Sequence, residues 1–215
     1  MKDDDKSMEN QKTEELQPEE RILQAAIEEF ISRGYEGTRM QGIADRAGIS
    51  KSALHYYFRL KERLFRAVLD ATVGKTIAKL RFEISETENF REKLEVGLRQ
   101  YYRAITKNVK IVRFLFMEVS RNPGMIDEFL EKGQYRLWLD SMNFELQREY
   151  ESGRINQITA ENLILNLVSM SIFPQLGAPI IRKILNRSES EYAQLIAERE
   201  EVILQFIMQA VLREN

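Results

Sequence analysis

Residues 38–63, TRMQGIADRAGISKSALHYYFRLKER, constrain this chain more than any other stretch. Ile43, Ala44 and Ala47 recur at helical spacing, and Gly48 follows where a helix must stop in a left-handed turn that glycine adopts without steric penalty. Ile49 plugs the corner. Ser50 has the residue type that caps a helix N-terminus, and Leu54 and Phe58 then continue an inward-facing stripe. Thr38 is expected to cap the first helix, which would run from Arg39 to Ala47, and Ser50 to cap a second over Lys51–Tyr57. The small Ala44 lets the two cross closely, as a helix-turn-helix requires.

The rest of the chain must provide a core for this unit. Apolar residues recur every three or four positions: Ile22, Ala26 and Phe30 form one stripe, with Pro18 in the first turn and Gly34 as terminator. Further helical segments are expected at 60–81, 90–107, 109–121, 124–151, 159–173 and 189–213. Asn89, Thr159 and Ser188 are expected as their N-caps and Gly153 and Gly177 as breaks. Strand-type alternation is almost absent, so the expected class is all-α. Met1–Ser7 reads as a tag or cleavage-site remnant, with Met8 as the natural start and residues 1–17 as a flexible N-terminus. Two domains are expected, 18–65 and 66–215.

Composition narrows the chemistry. The chain has no cysteine and a single histidine, His55, which excludes disulfides and multi-histidine zinc sites. No phosphate loop or nucleophile elbow is present, so neither an enzyme nor a cofactor or metal is expected. No apolar run is long enough for a membrane span, and a cytoplasmic location is expected. The net charge of −2 hides a strong asymmetry. Residues 1–20 carry three lysines against eight acids, whereas residues 39–66 carry seven lysines and arginines against two acids. A local basic patch matters more for phosphate contact than the total charge.

The face of the second helix opposite Leu54 carries Lys51, Ser52, His55 and Tyr56, which could reach base edges. Tyr57 and Lys61 are placed to meet phosphates, the latter with the positive end of the following helix.

Gly34, Tyr35, Thr38, Ile43, Ala44, Ala47, Gly48, Ile49, Ser50, Ser52, Leu54, Tyr57, Phe58, Lys61, Glu62 and Leu64 match, in type and spacing, the DNA-binding domain of the tetracycline-repressor family, which the segment resembles. The match spans about 45 residues. His55 stands where that family usually has a tyrosine, Arg39 where it has Ser or Thr, and Leu60 where it has a Ser or Asn cap; Gly42 lies inside a helix, where it costs about 1 kcal/mol relative to alanine.

The resemblance implies an N-terminal three-helix helix-turn-helix domain and a C-terminal helical domain for ligand binding and dimerisation. Its implied function is a homodimeric repressor released from a near-palindromic operator by a small molecule; the alternative is a DNA-binding activator or architectural protein without small-molecule control. DNA contacts are expected from Thr38, Arg39, Lys51, Ser52, His55, Tyr56, Tyr57 and Lys61. An apolar or amphipathic effector is expected among Tyr102, Arg113, Phe114, Met117, Trp138, Met142, Asn166 and Met170. The segments 159–173 and 189–213 are apolar on more than one face, which points to a partner subunit as their cover.

Overall fold

The computed structural model describes residues 17–213. The expected tag remnant and flexible terminus over residues 1–16 lie outside the described residues. Among the described residues twelve α-helices follow one another: α1 Pro18–Gly37, α2 Met40–Ala47, α3 Lys51–Tyr57, α4 Lys61–Leu69, α5 Lys75–Ser85, α6 Phe90–Lys107, α7 Val109–Arg121, α8 Asp127–Lys132, α9 Tyr135–Glu151, α10 Ala160–Leu176, α11 Ala178–Ile184 and α12 Glu189–Val211. A π-helical turn, Asp70–Gly74, joins α4 to α5. No strand forms among the described residues; one isolated bridge pairs Ile155 with Leu212. The chain is all-α, as its periodicity predicts.

Several ends form as the sequence suggests. Asn89 accepts from the Arg91 amide at 2.8 Å, Thr159 from Asn162 at 3.3 Å, and Ser188 from Glu191 at 3.2 Å. The Glu191 carboxylate in turn accepts from the Ser188 amide, closing a capping box. Pro18 occupies the first turn of α1. Gly34 breaks α1 at φ +70°, and one more helical turn carries the chain to Gly37.

Three expectations need correction. Thr38 does not cap α2: Arg39 holds that position without a side-chain bond, and Thr38 instead closes α1. The segment 124–151 is not one helix. It comprises a 3₁₀ turn at Pro123–Ile126, then α8 and α9, broken at Gly133 and at Gln134, whose φ is +50°. A Cβ at Gly133 would run into the Tyr135 ring, so the break belongs to a glycine that this ring covers. The segment expected over 60–81 is likewise interrupted, by the π turn.

Two compact units form. Of the described residues, one contains 17–75 together with Phe114–Phe129; the other contains Thr76–Arg113 and 130–213. The expected 18–65 segment lies within the first. There, Ile22, Ala26, Phe30, Ile43, Ala44, Leu54, Leu64 and Val68 are fully buried. Phe30 stacks on Phe114 at 5.7 Å and meets Phe65 edge-on at 5.9 Å. Such pairs add roughly 0.5–1.5 kcal/mol beyond area burial.

In the second unit, α6, α9, α10 and α12 bury Leu94, Leu98, Leu146, Leu163, Ile203, Leu204 and Ile207. Arg99 on α6 pairs with Glu200 and Glu201 on α12. Pro174 lies inside α10 and cannot donate to the Met170 carbonyl four residues back. Arg199 of α12 donates to that carbonyl instead, at 3.3 Å, and the Tyr192 hydroxyl donates to Pro174 O at 2.8 Å. α10 and α11 meet at 81°. No single described helix is long and apolar enough to cross a membrane.

Candidate nucleic-acid interface

The helix-turn-helix is held by local chemistry. Gly48 sits at φ +67°, ψ 33°, and its amide and that of Ile49 return to carbonyls of α2, the latter to Ala44 at 3.0 Å. Nothing would meet a Cβ at Gly48, so backbone conformation, not space, demands glycine there. Ser50 accepts from the Ala53 amide at 3.1 Å and starts α3. Leu54, fully buried, faces the frame.

An ion cluster around one buried carboxylate fixes α1 against α2. Glu29 is almost fully enclosed, yet it receives Arg33 Nε at 2.7 Å and Arg46 Nη2 at 3.1 Å. Arg46 also reaches Glu28. The Glu29 hydrogen bond holds the Arg46 guanidinium above its already high ordinary pKa. A Cβ at Gly42 would stand 2.7 Å from Glu29 Oε1, so the helix-interior glycine is the space into which this carboxylate packs. Glu29 is not among the residues singled out from the sequence. The signal that could have found it is a costly glycine one helix away from an unexplained acid on an apolar stripe.

The eight expected DNA-facing residues divide by environment. Thr38 is 3% exposed, and its hydroxyl donates to Gly34 O at 2.7 Å and reaches Glu29 O at 3.2 Å. Lys61 is half-buried: Nζ donates to Tyr35 O at 2.8 Å and Thr38 O at 3.2 Å and stands over the Tyr35 ring at 4.4 Å. These bonds satisfy carbonyls at the end of α1. Burial and the nearby Glu62 push the Tyr35 phenol above its ordinary pKa. His55 is partly buried.

Arg39, Lys51, Ser52, Tyr56 and Tyr57 are exposed. Tyr56, at 85% exposure, projects from α3 and meets Tyr57 edge-on at 5.4 Å. Of the basic patch, Arg46 and Arg66 are paired with carboxylates, Arg66 with Glu62 and Glu128. Arg39, Lys51, Arg59 and Arg63 have no carboxylate partner among the described residues. The result is an apolar-backed short helix presenting one lysine, a hydroxyl and two phenols to solvent, with the unpaired Arg39, Arg59 and Arg63 outside it, a set suited to phosphates and base edges.

The eight expected effector residues are not gathered into one cavity. Phe114 is buried in the aromatic cluster of the first unit, and Met117 is exposed. Tyr102 is buried, its hydroxyl donating to Ile196 O. Met142 and Met170 pack against the core of the second unit, while Arg113 and Asn166 are exposed. Trp138 lines a groove of about 470 Å³ with Tyr135, Leu139 and Ile164, flanked by Arg136, Asp140 and Glu161.

Residues 22–68 match the family model of bacterial regulatory proteins of the tetR family. The chain is 28% identical over 197 residues to the HTH-type transcriptional regulator RutR of Escherichia coli K12, covering 86% of this chain and 88% of RutR. It is 34% identical over 95 residues to the HTH-type transcriptional activator FasR of Mycolicibacterium smegmatis, spanning 43% of that protein. The crystal structure of the regulator FadR from Bacillus subtilis in complex with stearoyl-CoA superposes with a TM-score of 0.65 at 17% identity, covering 88% of this chain and 97% of that one. This last likeness concerns fold.

Proposed function

We propose that this chain, which belongs to the tetR family of bacterial transcriptional regulators, works as a homodimeric repressor that leaves a near-palindromic operator when a small amphipathic molecule binds its second unit. The observation that carries the reading is the α3 surface: Lys51, Ser52, Tyr56 and Tyr57 exposed on a seven-residue helix whose other face is locked by Leu54. Direct DNA contact is assigned to these four with Arg39. Thr38 and Lys61 hold the frame, because their polar atoms already have partners inside the protein.

Dimerisation is supported by the outer faces of α10–α12. Leu165, Phe173, Ile180, Ile184, Val202 and Phe206 are all exposed in the single chain. Clustered exposed apolar side chains of this size mark an interaction surface. Two copies related by a two-fold axis would present two α3 helices to successive major grooves, about 34–36 Å apart. Ligand control is supported by the relative in fold that carries stearoyl-CoA. Any effector can shift the DNA-binding equilibrium only by its differential affinity for the two states.

The FasR match favours one variation, activation in place of repression. DNA from the gene's own upstream region, titrated with protein and then with decanoate and decanoyl-CoA, tests the proposal. Specific binding with a stoichiometry of two chains per site and release by either compound supports it. Binding that no compound alters leaves a DNA-binding regulator without small-molecule control. No preference over random DNA at low salt overturns it.

A further inference from the structure

Arg81, in the second half of α5, differs from the paired arginines of its unit. Arg99 and Arg154 each meet carboxylates. The guanidinium of Arg81 instead lies over two aromatic rings, 4.9 Å from the Tyr135 centroid and 5.1 Å from that of Trp138. Its Nη1 donates to the Gly133 carbonyl at 2.9 Å. Nε and Nη2 are buried and have no hydrogen-bond partner, and no carboxylate pairs with Arg81 among the described residues. A buried cation with two orphan donors is costly, because a charged group removed from water needs a counter-charge or full hydrogen bonding.

The free atoms are informative. Nε–H and Nη2–H lie on the same edge of the guanidinium plane and point in parallel, the geometry that grips two oxygens of one carboxylate or phosphate. Nη1, the remaining nitrogen, is tied to the Gly133–Tyr135 bend. That bend is itself shaped for the stack, since any side chain at Gly133 would collide with the Tyr135 ring. The fork is therefore oriented before any ligand arrives. Tyr135 and Trp138 also line the 470 Å³ groove, whose walls include Leu139 and Ile164. The groove and the guanidinium thus share two rings, although Arg81 itself is not part of the groove wall, so an anionic head would reach the fork past the Tyr135–Trp138 edge. Asp140 and Glu161 flank the same groove; Glu161 is held ionised by hydrogen bonds from its own backbone, Thr159 and Asn143, which lower its pKa. Their negative charge disfavours a ligand with several spread charges and leaves room for one compact anionic head.

We infer that Arg81, with the Tyr135–Trp138 stack, is the anchor of an effector site for amphipathic molecules with a single two-oxygen anionic head, a carboxylate or a phosphate monoester. This rests on the ligand-responsive reading of the second unit and names the chemistry it would recognise.

Trp138 is the chain's single tryptophan, so its emission reports directly on the site. The full chain is titrated with decanoate, decyl phosphate and decanol, which share one apolar tail. The expected result is a saturable change in Trp138 emission with at least one of the two anions and affinity at least about tenfold weaker for decanol, the lower end of the scale of one charge-assisted hydrogen bond. Which anion binds identifies the head group. R81Q is expected to remove the preference for the anion, and R81K, which keeps the charge without the fork, to restore part of it. Equal affinity for decanol and both anions in the wild-type chain overturns the inference without relying on any variant, as does the absence of any change with all three. Operator release is measured in parallel. Release by a compound that leaves Trp138 emission unchanged keeps the ligand-responsive reading and places its site elsewhere. Anion binding that depends on Arg81 but never releases DNA keeps the site and overturns its role as an effector site.

Discussion

Both units answer a buried carboxylate with arginine, Glu29 with Arg46 in the first and Glu149 with Arg154 in the second, but they differ in what they leave unanswered. In the first, Glu29 is enclosed but answered by Arg33 and Arg46, and Lys61 is turned inward onto the carbonyls of Tyr35 and Thr38. What remains exposed on α3 is polar or cationic, apart from the phenol rings. In the second, Arg81 keeps two buried donors without partners, and large apolar side chains such as Phe173 and Phe206 face solvent. The first unit leaves a single buried guanidinium nitrogen, Arg21 Nε, without a partner among the described residues, and its α3 face offers a surface suited to phosphates. The second carries unsatisfied features of two kinds, apolar and cationic, which point to two different occupants.

The largest expected effect lies in the core of the first unit. Phe30→Ala removes the ring at the centre of the aromatic cluster and should destabilise it by about 3–5 kcal/mol, read as a lower urea midpoint with DNA binding abolished in parallel. The matching change in the second unit should behave differently. Val202→Glu with Phe206→Glu places charges on an exposed face; light scattering should show single chains in place of dimers, with helicity retained. Loss of helicity would mean that this face is core and not interface.

A smaller effect tests the ion cluster. Arg46→Met leaves Glu29 with only the more exposed Arg33 as partner, and should cost about 1–2 kcal/mol, since Arg46 is itself partly solvated. A change within experimental error would show that solvent reaches Glu29. Gly48→Ala forces a side chain into a left-handed backbone and should cost about 1 kcal/mol, with Gly48→Asn costing less; equal stability of all three would contradict the turn.

The smallest effect concerns pH. Arg154 holds the Glu149 carboxyl below its ordinary value. A carboxylate depressed in the folded state adds stability that is complete above its unfolded value, about 4, and is lost as pH falls through the lower folded value. Arg154→Met should therefore lower the melting temperature at neutral pH and flatten its fall in acid. An unchanged acid slope would remove Glu149 from the balance.

How much of this was legible in the sequence follows the same division. The turn at Gly48, the Ser50 cap and the buried Leu54 each need a particular residue type at a particular spacing, so the helix-turn-helix could be read position by position. The inward turn of Lys61 could not, because it depends on where the last carbonyls of α1 come to lie, a tertiary fact. Thr38 misled for the same reason: a hydroxyl beside a helix start is an ordinary cap, and only the kink at Gly34 brings a better acceptor to it. In the second unit, the family resemblance implied an effector site but not which residues share it. Phe114 went to the other unit's core, and Arg81 was overlooked because nothing near it in sequence marks its two ring partners, more than fifty residues away.

The central claim is that exposed α3 residues touch DNA while Lys61 holds the frame. A salt series of operator affinity on Lys51→Ala and Lys61→Ala, paired with their melting temperatures, tests it most directly. Lys51→Ala should reduce the slope of log affinity against log salt by about 0.9 for each phosphate that the lysine neutralises, with melting unchanged. Lys61→Ala should lower the melting temperature and leave the slope alone. The reverse pattern, with Lys61→Ala changing the slope at constant stability and Lys51→Ala changing neither, would contradict the account.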